Sequence, residues 1–68
     1  MKYNQIKKIL KEQRRTQTWL AEQLDKHQTS VSRWCANTDQ PSLINLHKVA
    51  EVLEVSTKDL IPDQPKEE

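Results

Sequence analysis

A short segment in the middle of the chain carries four hydrogen-bonding side chains: Gln28, Thr29, Ser32 and Arg33. If the segment is helical, these positions share one face, because residues three or four apart are neighbours on a helix surface. A Gln amide can bond to N6 and N7 of adenine, and an Arg guanidinium to O6 and N7 of guanine. The segment therefore predicts an edge that reads bases in the major groove of DNA. The alternatives are a helix-start residue without a role for Gln28 and a solvent-exposed charge for Arg33.

Apolar residues at helical spacing lie on both sides of a polar break at residues 25–27. This pattern predicts two short helices, over about residues 17–24 and 28–35, that pack across a tight corner as a helix-turn-helix. Thr16 is the predicted N-cap of the first of them. Asp25 occupies the corner, where Gly is usual because it tolerates positive φ, and Asn and Asp are the next most tolerant. The inward stripe comprises Leu20, Ala21, Leu24, Val31 and Trp34.

The rest of the chain is also helical in pattern. Residues 3–13 predict a first helix, residues 43–53 a fourth, and a last short helix passes through Leu60 and Ile61. The predicted fold class is all-α, a compact bundle of about five short helices. We expect one domain over residues 1–61 and an acidic, disordered tail over residues 62–68. The apolar stripe of the fourth helix comprises Leu43, Leu46, Val49, Ala50 and Leu53.

The composition argues against disulfide-bonded, metal-binding, secreted, membrane and catalytic proteins. Cys35 is the only cysteine, so no intramolecular disulfide is expected, and no cluster of Cys and His suggests a metal site. The first ten residues lack the apolar run of a signal peptide, and no run is long enough to cross a membrane. We therefore expect a cytoplasmic protein without a cofactor or small-molecule ligand. The lack of a Ser/His/Asp set or a Gly-rich loop predicts that it is not an enzyme.

The formal net charge is only +1, but the charges are unevenly distributed. Residues 1–15 carry six basic side chains against one acidic side chain, and residues 62–68 carry three acidic against one basic. Without the tail the chain has a net charge of +3. This skewed positive charge is compatible with a surface that faces phosphates, although a solvated helix face explains it equally well.

The sequence from about Ile6 to Ile61 resembles the phage repressor and Cro family of helix-turn-helix domains, also called the XRE family. The resemblance implies a lambda-repressor-like fold, in which the third helix lies in the major groove and the second crosses the DNA backbone. Carried over by position, it implies that Gln28, Thr29 and Arg33 read bases, with Ser32 beside them. The matching residues are Gln17, Leu20, Ala21, Leu24, Ser30, Val31, Trp34, Pro41, Ser42, Leu43, Leu46, Val49, Ala50, Leu53, Val55, Ser56 and Leu60.

The same resemblance implies contacts with DNA phosphates. Gln17, at the start of the second helix, matches a position that binds phosphate and braces the recognition residues, and Thr18 is a candidate beside it. The free amides and partial positive charge of a helix N-terminus support a site there. Asn37 and Thr38, in the loop after the third helix, resemble a second phosphate contact. His27 either touches phosphate or is a simple turn residue.

One recognition helix covers only a few base pairs, so specific binding usually needs two. We expect a homodimer on a palindromic double-stranded DNA operator, with half-sites about 34 Å apart. Val55, Leu60 and Ile61 are candidates for the dimer interface, and the alternative is that they close the protein's own core. The leading hypothesis is a prokaryotic or phage-type transcriptional regulator that represses by occupying an operator. The alternatives are a protein-interaction module, a restriction–modification controller or an antitoxin with the same fold.

Overall fold

The computed structural model describes residues 3–61, which form four α-helices, one 3₁₀ helix and no strand. The all-α class is confirmed, and so are the helix-turn-helix of the second and third helices and the predicted bounds of the last three α-helices. The predicted disordered tail, residues 62–68, lies outside the described residues. The elements are α1 (Ile6–Glu12), α2 (Gln17–Leu24), α3 (Gln28–Cys35), α4 (Leu43–Leu53) and the 3₁₀ helix (Thr57–Leu60).

The first and last elements differ from the predicted helices. α1 begins at Ile6 instead of residue 3, because Oδ1 of Asn4 accepts a hydrogen bond from the Ile6 N–H at 3.0 Å and so holds Asn4 in a turn before the helix. The last element is a 3₁₀ helix of four residues, in which the Asp59 carboxylate accepts from the Ser56 N–H at 3.1 Å. Runs of this length are typical of 3₁₀ geometry.

The core is formed by one face of each element. The predicted inward stripe of α2 and α3 is buried, except that Leu24 is only half-buried. The prediction for Leu43 is wrong, because this residue is 68% exposed. It is the first residue of α4, and the buried stripe of that helix begins one turn later, at Leu46. The largest side chains that are fully buried are Ile6, Leu20, Val31, Val49, Leu53 and Leu60.

Every α-helix is followed by a residue with positive φ, although the chain contains no glycine. After α4, for example, Glu54 donates its N–H to the Glu51 carbonyl at 3.2 Å, and Val55 donates to the Ala50 carbonyl at 3.0 Å. These two bonds are those of a Schellman motif, which satisfies carbonyls of the last helical turn. The same pair of bonds ends the other three α-helices. The left-handed residues, with φ between 56° and 59°, are Arg14, Asp25, Asn37 and Glu54.

Candidate nucleic-acid interface

The corner between α2 and α3 determines how α3 is presented. Asp25 lies there in the left-handed conformation (φ 56°, ψ 45°), and the Lys26 N–H donates to the Ala21 carbonyl at 3.0 Å. Ala21 is small and buried, which allows the two helices to approach closely. Val31 and Trp34 of α3 belong to the same core. Because this side of α3 is fixed in the core, its opposite side faces solvent.

The solvent side of α3 carries the residues predicted to read bases. Gln28, Thr29 and Arg33 are exposed, and their side chains form no hydrogen bond or ion pair within residues 3–61. Their donors and acceptors are therefore available to a ligand. Ser32 differs, since it is half-buried and its hydroxyl donates to Oε1 of Gln17 at 2.8 Å.

The bond between Gln17 and Ser32 joins the start of α2 to the middle of α3. It is a bracing contact of the kind that the resemblance implies for Gln17. It uses the Ser32 proton and one acceptor site on Gln17, and it leaves the two N–H donors of the Gln17 amide for a ligand. The structure thus gives Ser32 a bracing role, while a base contact by Ser32 stays a prediction.

The N-terminus of α2 has backbone N–H groups that no helical carbonyl accepts. Thr16 caps this helix, as predicted, because its Oγ1 accepts from the Trp19 N–H at 3.0 Å. The N–H groups of Gln17 and Thr18 come before the first hydrogen bonds within the helix. At the same end, the guanidinium carbon of Arg15 lies 4.3 Å from the centroid of the Trp19 ring. This cation–π contact stacks the charged side chain of Arg15 on the half-buried Trp19 ring, in the first turn of α2.

The other predicted phosphate residues differ in what they can offer. His27 and Thr38 are exposed, and His27 is the N-cap residue of α3 without a side-chain bond to the helix. Asn37 turns inward instead. Its Oδ1 accepts from the Asn4 backbone N–H at 2.7 Å and from Nε2 of Gln40 at 3.0 Å. Only the Nδ2 donors of Asn37 remain for a phosphate.

Asn4 is a further candidate functional residue, which the sequence pattern did not indicate. It is a buried polar residue, 7% exposed, and its Nδ2 donates to the Trp34 carbonyl and to Oε1 of Gln40, both at 2.8 Å. An Asn two residues before the first apolar residue of a helix is a signal for a turn in which the Asn side chain accepts from the backbone N–H two residues later. Starting the helix at Tyr3 concealed that signal, and Tyr3 is in fact 60% exposed.

The three candidates for a dimer interface lie in different environments. Leu60 has no exposed surface, so a contact with a second chain through Leu60 is wrong. It belongs to the protein's own core, in one buried cluster with residues of the four α-helices. Val55 and Ile61 are half-buried and pack against that core. A dimer contact through the exposed parts of these two residues stays a prediction.

Cys35 lies on the buried side of α3 and has no reactive thiolate at neutral pH. Burial raises the pKa of its thiol to about 11, and the positive charge of Lys7 opposes this shift less strongly. Within residues 3–61, no group of three or more His, Cys, Asp or Glu side chains is arranged to hold a metal ion. No helix in this range has the length and apolar character needed to cross a membrane.

Comparison with known proteins agrees with this geometry. A family model described as helix-turn-helix matches residues 6–60. Among solved structures, the chain is similar to a Bacteroides fragilis protein provisionally described as DNA-binding. The two chains share 52% sequence identity with a TM-score of 0.84, and the match covers 88% of this chain and 97% of the other. None of the curated proteins compared with this chain matches it.

Proposed function

The chain belongs to the helix-turn-helix family of the XRE type, and on this premise we propose that it is a sequence-specific DNA-binding regulator. In this proposal α3 enters the major groove of an operator and α2 lies across the DNA backbone. The proposed partner is double-stranded DNA, and for a prokaryotic regulator the proposed site of action is then the cytoplasm. The role is binding and not catalysis, in line with the family.

The observation that carries this proposal is the solvent face of α3. Gln28, Thr29 and Arg33 are exposed together on one helix, with no partner inside the described structure. An α-helix with its side chains is about 10–12 Å in diameter, and the major groove of B-DNA is about 12 Å wide and admits such a helix. These polar side chains have donors and acceptors that the protein itself does not satisfy. Base edges can satisfy them by hydrogen bonding, whereas an apolar surface of a protein partner cannot.

Groups that could bind DNA phosphates lie at the start of α2 and at both ends of α3. At the start of α2, the free N–H groups and side chains of Gln17 and Thr18 lie at the positive end of a helix dipole. Arg15 adds a full positive charge at the same end of α2, where it stacks on the Trp19 ring. On α3, His27 offers its ring at the N-cap. Beyond α3, Thr38 offers its hydroxyl and Asn37 its Nδ2 group.

We further propose that the regulator binds as a homodimer and represses transcription by occupying a palindromic operator. The physical reason is that one α3 touches too few base pairs for specific binding at cellular salt. The exposed parts of Val55 and Ile61 are the surfaces that we assign to the dimer contact. Two recognition helices would then lie about 34 Å apart, one turn of DNA.

Titration of fluorescently labelled duplexes at two salt concentrations tests DNA binding directly. We expect the logarithm of the affinity to fall linearly with the logarithm of the salt concentration, with a slope of about −0.9 for each phosphate neutralised. Selection of bound sequences from a random pool should then return two half-sites related by a two-fold axis. Binding that is absent or insensitive to salt would contradict the proposal and favour a protein-interaction module, and a single asymmetric site would contradict the dimer.

A further inference from the structure

Three amide side chains, which we call the amide cluster, join the N-terminal segment to the end of α3: Asn4, Asn37 and Gln40. The Asn4 backbone N–H donates to Oδ1 of Asn37 at 2.7 Å, and Nε2 of Gln40 donates to the same oxygen at 3.0 Å. Nδ2 of Asn4 completes the cluster by donating to Oε1 of Gln40 at 2.8 Å. Two of these three hydrogen bonds thus join residues that are more than 30 positions apart in the sequence, and the third holds Asn37 and Gln40 together.

The amide cluster is bonded directly to the recognition helix. Nδ2 of Asn4 also donates to the carbonyl of Trp34, in the last turn of α3, at 2.8 Å. Asn37 is the left-handed residue that ends this helix (φ 59°), and its own N–H donates to the same carbonyl at 3.1 Å. The next residue, Thr38, donates its N–H to the Arg33 carbonyl at 3.0 Å. The point at which the loop leaves α3 therefore depends on the cluster.

The N-terminal segment is itself fixed on its other side. The Gln5 N–H donates to the Leu60 carbonyl at 2.7 Å, and Leu60 is fully buried. Oδ1 of Asn4 accepts from the Ile6 N–H at the start of α1. Asn4 is nearly enclosed and its bonds are made inside the protein, so Asn4 and Gln5 together connect α1, the 3₁₀ helix and the end of α3.

We propose that Asn4 is a positioning residue for DNA binding, which acts through the amide cluster on the end of α3 and on the loop of Asn37 and Thr38. This inference rests on the proposed function, since it concerns the same interface. Asn4 does not contact DNA. It holds Arg33 and Thr38 in the relative positions that a base edge and the neighbouring phosphate require. Without it, the end of α3 and the loop sample other positions, and only a fraction of molecules is ready to bind.

The test uses the full chain with the substitution Asn4→Ser. A Ser hydroxyl can still accept from the Ile6 N–H two residues later and keep the turn before α1, but it is too short to donate to Trp34 and Gln40. Gln13→Ala is the matched control, because Nε2 of Gln13 also donates to a carbonyl at the end of a helix, that of Leu53 in α4, at 2.8 Å. Both variants lose a side-chain bond that caps a helix end, and only one of these bonds is at α3.

Affinity is measured at a temperature where thermal unfolding shows both variants to be fully folded. The probes are the duplex selected from a random pool and a random duplex of the same length. We expect Asn4→Ser to weaken binding to the selected duplex by about two- to thirty-fold. The ratio of selected to random affinity should fall with it. Gln13→Ala should leave this ratio unchanged, although it lowers the melting temperature.

The outcomes separate this inference from the proposed function. If wild-type protein binds neither duplex, the proposed function fails before Asn4 is considered. If wild type binds and Asn4→Ser keeps both the affinity and the ratio, the positioning role is refuted and Asn4 is purely structural. An equal loss in both variants refutes it as well, because that loss would follow stability and not position.

Discussion

The left-handed residue after α4 gives the sharpest stability prediction. Glu54 has φ 59° and ψ 42°, its side chain is exposed, and it makes no side-chain hydrogen bond within residues 3–61. The substitution Glu54→Gly therefore removes no contact in the folded protein. It removes the clash between Cβ and the backbone that makes this conformation unfavourable for L-amino acids. It also removes a negative charge from the negative end of the helix dipole.

The magnitude follows from two opposing terms. The left-handed conformation costs a residue with a Cβ about 1–2 kcal/mol, which glycine avoids. Glycine also gives the unfolded chain more freedom, which opposes folding by about 0.4–1 kcal/mol. The net gain in the free energy of unfolding is about 0.5–1 kcal/mol. For a domain of this size, such a gain raises the melting temperature by about 2–8 °C.

Thermal and urea unfolding, followed by circular dichroism, measure this gain. Glu54→Ala is the first control, because it removes the charge and keeps the Cβ, so the difference between Gly and Ala isolates the backbone term. Glu51→Gly is the second control, since this exposed residue lies inside α4 and Gly should lower the free energy of unfolding there by about 1 kcal/mol. The reasoning is refuted if Glu54→Gly is no more stable than Glu54→Ala.

Two further predictions concern the interface and the core. Arg33→Ala should weaken binding to the selected duplex by about 1–3 kcal/mol and relax preference at one base position, as measured by repeated selection; an equal loss for all sequences would make Arg33 a phosphate contact. For Cys35, burial raises the thiol pKa in the folded protein from its ordinary value of 9.0 to about 11, so the unfolded chain releases this proton first. The contribution to stability is present below pH 9 and is lost as the pH rises toward 11. The free energy of unfolding should fall more steeply over this range for wild type than for Cys35→Ala, and parallel curves would contradict the assignment.

The sequence by itself determined the helices that form the candidate interface. The bounds of α2, α3 and α4 follow from apolar spacing and from cap residues such as Thr16, which are local signals. The left-handed corner at Asp25 was also predictable, because few residues other than Gly tolerate that conformation. Since a helix exposes the face that its apolar stripe does not use, the outward positions of Gln28, Thr29 and Arg33 followed as well.

The tertiary structure alone decided which side chains at the ends of elements are buried and which distant residues meet. Leu43 and Leu60 are the same residue type at the ends of helical stripes, yet one is exposed and the other fully buried. Apolar periodicity predicts which face of a helix is buried. It does not predict how far along the helix a neighbouring element covers that face. The bond between Asn4 and Asn37 spans 33 positions, and no local pattern specifies its partner. Such a bond exists only after the chain has folded, because the packing of α1 against α3 brings the two residues together.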